Sequence, residues 1–119
     1  MTSLDLQQAS FELDDGVARF TMRRPEALNA LSLAMREDFK KMLDFVEGNA
    51  DVGALIIAGE GRAFCAGGDV KRMNAAADVP GVESRNQILN LHGWLRRLHE
   101  LECPVIAEVN GLAFGGGFA

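Results

Sequence analysis

The chain has 119 residues, of which 48% are hydrophobic and 24% charged, with a formal net charge of −5. That length fits one domain, and that composition excludes disorder as its main state. The acidic balance argues against a general nucleic-acid binder, and no apolar run approaches the ~18 residues needed to cross a membrane.

Phe11-Glu12-Leu13 and Val17 to Met22 alternate partly and flank Asp14-Asp15-Gly16, whose Asp-Gly pair supplies the positive φ angles of a tight hairpin. Phe11, Leu13, Phe20 and Met22 are the expected inward residues. Arg23-Arg24-Pro25-Glu26 then breaks the strand. A helix is expected from about Ser32, its N-cap, to a stop near Gly48. Its stripe is Met35, Phe39, Met42, Leu43 and Val46. Val52 to Ala58 reads as a strand covered on both faces, and Pro104 to Val109 reads similarly. Asn74 to Glu83, with Pro80-Gly81, is expected to be a surface loop. A second helix is expected over about Arg85 to Glu102, with Ser84 and Gln87 at capping-box spacing. Its stripe is Ile88, Leu91, Leu95 and Leu98, with Trp94 among them as core or interface, and Pro104 ends it. The order β-β-α-β-loop-α-β-loop predicts an α/β fold with parallel crossovers.

Each of the two later strands opens into a glycine-rich loop, at the strand ends where ligands gather in such sheets. The loops are Gly59 to Lys71 and Asn110 to Gly117. Neither ends in the Gly-Lys-Ser/Thr of a phosphate-binding Walker loop, and neither fits G-x-G-x-x-G. Cys65 and Cys103 read as reduced thiols. His92 and His99 share no third ligand nearby, so no metal site is expected. The first thirty residues show no basic start followed by an apolar stretch, and a cytoplasmic location is expected.

Three segments carry a family resemblance: Arg24-Pro-Glu-Ala-Leu-Asn-Ala-Leu31, Gly61-Arg-Ala-Phe-Cys-Ala-Gly-Gly-Asp-Val-Lys71, and Pro104-Val-Ile-Ala-Glu-Val-Asn-Gly-Leu-Ala-Phe-Gly-Gly-Gly117. In this order and spacing they resemble the crotonase superfamily, the enoyl-CoA hydratase/isomerase family. The resemblance implies a crotonase-like (ClpP/crotonase) spiral of repeated β-β-α units. Residues 1–119 would form the N-terminal part of one such domain, and family members are considerably longer. It implies acyl-CoA thioesters as substrates, with no prosthetic group, and assembly as trimers or dimers of trimers. Two backbone N–H groups, by motif position those of Gly68 and Gly116, would form an oxyanion hole. Ala66, Gly67, Gly68, Asp69 and Val70 would wrap the adenine and pantetheine of coenzyme A, with Ala27 and Leu28 along the same molecule. Arg23, Arg24, Arg62, Lys71 and Arg72 flank these segments and would suit its phosphates.

One position departs from the pattern. Hydratases of the family use two glutamates, the first two residues after the triple glycine, where this chain has Ala119. The second belongs to a later part of family sequences. Alanine cannot transfer a proton, so the resemblance favours isomerisation, with a single later carboxylate, over two-glutamate hydration. A non-catalytic acyl-CoA-binding or scaffold protein is the alternative. Glu108, in an apolar run, is a candidate buried acid or salt-bridge partner, and Cys65 a candidate nucleophile or packing residue. The segment Met73 to Trp94 is expected to border the acyl pocket.

Overall fold

The computed structural model describes residues 1–68 and 81–119, the side chains of 81–84, 86–88 and 90 excepted. Its strands are β1 (Thr2–Leu4), β2 (Ala9–Asp14), β3 (Val17–Met22), β4 (Ala54–Gly59), β5 (Ala63–Cys65), β6 (Val105–Glu108) and β7 (Leu112–Ala113). Its helices are α1 (Leu33–Val46) and α2 (Gly81–His99), with 3-10 turns at Pro25–Ala27 and Gly115–Gly117.

The hairpin forms where Asp14-Asp15-Gly16 places it. Asp15 and Gly16 take φ of 49° and 80°, and β2 and β3 pair antiparallel from Asp14↔Val17 to Ala9↔Met22. Two consecutive left-handed residues match the twist of the flanking strands. Phe11, Leu13, Phe20 and Met22 are all buried, as their alternation requires. Ahead of the hairpin, β1 pairs with β2; it is short and largely exposed, so it carries no apolar signature.

Ser32 caps α1 by accepting the Met35 N–H at 3.1 Å, and Gly48 follows the helix with φ +69°. The Ser32 hydroxyl also donates to Gln8 Oε1. The five stripe residues are buried against the hairpin sheet, where the Phe20 and Phe39 rings lie 4.4 Å apart. Asp38, also buried, accepts the N–H groups of Gln7 and Gln8 at 2.9 and 2.6 Å, tying the start of the sheet to α1.

The large sheet runs β1-β2-β3-β4-β6, with β4 parallel to both β3 and β6. A second sheet holds β5 and β7, again parallel. Each long strand, β4 and then β6, is thus followed by a short strand of the second sheet. With α2 between these two strand pairs, the chain winds as a β-β-α spiral.

Four expectations are corrected. On β4, Leu55, Ile57 and Ala58 are buried while Ile56 is half-buried, so one face is covered fully and the other in part. β6, the sheet's edge strand, is exposed along its whole length. An apolar, β-branched run suits a pleated strand in either place, so composition did not distinguish them. The second helix begins at Gly81, which puts Ser84 inside it rather than at its cap, and Gly81 to Glu83 belong to helix rather than loop. The same helix ends at His99, so Leu101 to Cys103 form the approach to Pro104. Residues 74–80 of the expected loop lie outside the described residues. On α2, Trp94 is the buried anchor, stacked on Phe39 at 4.4 Å and 23°, with Leu91, Leu95 and Leu98 half-buried around it.

Candidate functional site

Three chain segments converge at the carboxyl ends of β4 and β6. The first follows β3. Pro25 opens a 3-10 turn that closes with the Leu28 N–H donating to the Pro25 carbonyl at 3.0 Å. Leu28 and Asn29 then take φ of 54° and 55°. Leucine in the left-handed region is a genuine outlier, costing on the order of 1–3 kcal/mol. It persists because both neighbours are fixed: Asn29 N–H donates to the Arg24 carbonyl at 2.9 Å and Ala30 N–H to the Ala27 carbonyl at 3.1 Å.

The second segment is the loop through β5. The Leu28 carbonyl accepts the Ala66 N–H at 2.9 Å, and the Leu31 N–H donates to the Gly67 carbonyl at 2.7 Å. Leu31 and Gly68 form a parallel bridge. Leu28 therefore lies beside Ala66, and Leu31 beside Gly67 and Gly68. Asp69 and Val70, expected to continue this wall, lie outside the described residues, as do Lys71 and Arg72.

The third segment joins through β7, and the Phe114 N–H donates to the Cys65 carbonyl at 3.0 Å. Gly67 shows how closely the two glycine loops meet. With φ +87°, a Cβ on it would sit 2.6 Å from the Phe114 carbonyl oxygen and 3.3 Å from the Gly116 nitrogen. Among the described residues, no backbone hydrogen bond uses the N–H of Gly68 or of Gly116. Among the described residues, these two N–H groups on adjoining loops thus have no backbone acceptor.

Beside Gly116 opens an apolar cleft of about 680 Å³, lined by Leu31, Phe39, Trp94, Leu98, Gly116 and Phe118 among others. Trp94, the described end of the segment expected to border an acyl group, forms part of its wall; Met73 is not among the described residues. Another cavity of similar volume, between the C-terminal ends of α1 and α2, shares no residue with either glycine loop.

The remaining candidates resolve simply. Glu108 is exposed and pairs with Arg19 at 2.6 Å, so it is a salt-bridge partner and not a buried acid. Arg23 is engaged by Glu60 at 2.9 Å, and Arg24 lies 4.0 Å from Glu26. Arg62 is exposed. No group of three metal-ligating side chains occurs among the described residues. Sequence reasoning missed Asn29, which is wholly buried at the meeting of the first two segments. Its only local signal is that asparagine tolerates the left-handed region.

Cys65 is buried, and burial pushes its thiol above the ordinary value, outweighing a smaller downward pull from the Gly67 backbone. A neutral thiol is a poor nucleophile. The sign of its effect on stability follows. Above the ordinary thiol value of about 8.5, the unfolded chain loses this proton before the folded one, so stability falls as pH rises through it. Urea unfolding from about pH 7 to about pH 10 is expected to show this decline, flattened in Cys65→Ala.

A β-β-α spiral with its glycine loops at the strand ends is the architecture of crotonase-type proteins, and the comparisons place the chain there. The enoyl-CoA hydratase/isomerase profile matches residues 12–119, and the chain belongs to that family. It is 36% identical to the short-chain-enoyl-CoA hydratase of Clostridium acetobutylicum over 115 residues, covering 96% of this chain and 43% of that protein. It is 35% identical to the 1,2-epoxyphenylacetyl-CoA isomerase of Escherichia coli over 106 residues, covering 88% of this chain and 40% of that protein. Among solved structures, Pseudomonas aeruginosa AtuE superposes with a TM-score of 0.89 at 33% identity, over 94% of this chain and 43% of that one. An enoyl-CoA hydratase/isomerase from Xanthobacter autotrophicus Py2 superposes with a TM-score of 0.88 at 31% identity, over 95% and 42%. The chain thus spans about two-fifths of the length of these relatives.

Proposed function

We propose that the protein binds acyl-CoA thioesters and stabilises a thioester enolate between the backbone N–H groups of Gly68 and Gly116, with double-bond isomerisation favoured over hydration. The observation that carries this is a pair of N–H groups without a backbone acceptor among the described residues, on two loops pressed together at Gly67. Donors fixed before the reaction need no reorganisation when charge develops on the thioester oxygen, which makes such a pair effective for an enolate. In the proposed reaction the α-proton leaves to a base, the charge settles on the carbonyl oxygen, and a proton returns at the γ-carbon. The family resemblance assigns that base to a later carboxylate.

Ala27, Leu28, Ala66, Gly67 and Gly68 form the coenzyme A wall in this reading, continued by Asp69 and Val70. The thioester is the substrate and no prosthetic group takes part. Ala119 supports isomerisation, since it stands where hydratases of the family carry their first glutamate. The same alanine favours the second reading, a protein that binds acyl-CoA without turnover. A cytoplasmic location and assembly as trimers or hexamers belong to the proposal as well.

Incubation with a 3-enoyl-CoA in deuterated water separates the readings by mass spectrometry. The expected product is the 2-enoyl isomer carrying deuterium. Hydration needs the conjugated double bond, so 2-enoyl-CoA is run in parallel, and water added to it without isomerisation of the 3-enoyl-CoA would replace isomerisation by hydration. Binding without any product would support the non-catalytic reading, and no binding would end both.

A further inference from the structure

We propose that Asn29 is a positioning residue for the two-amide site, gripping the Gly59–Ala63 turn from inside while Asn110 grips it from outside. The role rests on the oxyanion reading above. Asn29 is wholly buried, and its side-chain amide is used in both directions. Its Oδ1 accepts the Arg24 N–H at 2.9 Å, and its Nδ2 donates to the carbonyls of Glu60 and Ala63, each at 3.0 Å. Asn110, at the start of the second glycine loop, donates from its Nδ2 to the Gly61 carbonyl at 2.6 Å and more distantly, at 3.4 Å, to that of Ala63. Side chains from two different segments therefore meet on one carbonyl.

That carbonyl is well placed to matter. Ala63 opens β5, and Cys65, at the end of β5, takes the Phe114 N–H of the Gly116 loop. On the other side, the residues flanking Asn29 hold the Gly68 loop directly: Leu28 through Ala66, and Leu31 through Gly67. Asn29 thus joins the backbone that fixes one donor loop to the turn through which the other is registered. The space is closed as well, because a Cβ on Gly59 would stand 3.0 Å from Asn29 Nδ2 and 2.5 Å from the Phe64 carbonyl oxygen. A displaced turn has nowhere to go without moving β5.

Asn29→Asp is the informative change. It keeps shape and tolerance of the left-handed backbone, yet replaces the double donor with an acceptor facing two carbonyl oxygens. The readout is the red shift in absorbance of a bound aryl-conjugated enoyl-CoA, which reports polarisation of its thioester carbonyl. The wild-type protein is expected to show the shift. Asn29→Asp is expected to bind the same thioester within about threefold while losing most of the shift, with kcat falling at least tenfold and KM little changed. A folded Asn29→Asp protein with the full shift overturns the proposal. If that variant does not fold, Asn110→Ala decides, since it removes the outer grip at an exposed residue. A reduced shift supports the clamp and an unchanged one overturns it. Absence of any shift in the wild type would instead remove the oxyanion reading, and the positioning role with it.

Discussion

Gly68→Pro is expected to lower kcat and kcat/KM together by about 10²–10³-fold, the usual loss on removing one oxyanion donor, equivalent to about 2.7–4 kcal/mol. Proline lacks the N–H that the site needs. The bond nearest to it survives, because the Leu31 N–H donates to the Gly67 carbonyl rather than to any group of Gly68. Proline also restricts the preceding residue, here Gly67 at φ +87°, so a shape effect must be separated from the donor effect. Gly68→Ala does this. It retains the N–H, so any loss it shares with the proline variant is a shape effect, and the alanine variant is expected to keep clearly more activity than the proline variant. A folded proline variant with wild-type kcat/KM would remove Gly68 from the proposed machinery.

Elements governed by local chemistry were legible in the sequence. Asp15-Gly16 dictates its turn through backbone conformation alone, and Ser32 with the Met35–Val46 stripe dictates α1 through a cap and one periodicity. The glycine loops were legible as closely packed segments at the strand ends because their residue types answer a steric demand. Long-range circumstances were not. Which faces of an apolar strand are covered depends on its neighbours, which is why β6 reads as covered and is exposed, and why the sequence leaves Glu108 open between a buried acid and the salt-bridge partner it is. Ser84 and Gln87 match a capping box, but a helix that starts three residues earlier places Ser84 in its interior. Asn29 is the sharpest case. Its importance lies in carbonyls 31 and 34 residues away, and no local pattern announces such a pairing.

Gly117→Ala carries the second large effect, and it explains why three consecutive glycines stand at the end of the second loop. They answer different demands. Gly115 has φ +52° with open space around a would-be Cβ, so alanine there meets only backbone strain, about 1–2 kcal/mol. At Gly116 the nearest atom, 2.9 Å away, is the flexible Leu31 Cδ1, which can turn aside. At Gly117 a Cβ would lie 2.1 Å from the Cys65 carbonyl oxygen and 2.7 Å from both its carbonyl carbon and its Cβ. Backbone cannot yield as a side-chain end does. The variant must push the 3-10 turn away from β5, straining the Phe114–Cys65 hydrogen bond that holds the Gly116 loop in register. Gly117→Ala is therefore expected to cost at least about 3 kcal/mol in urea unfolding, the upper end for overpacking, and to lose isomerisation activity. Gly116→Ala, which keeps its N–H, is expected to be the mildest of the three. The opposite ranking, with Gly117→Ala tolerated and Gly116→Ala severe, would mean that the two loops are not held together by the close backbone packing of Gly117 on Cys65.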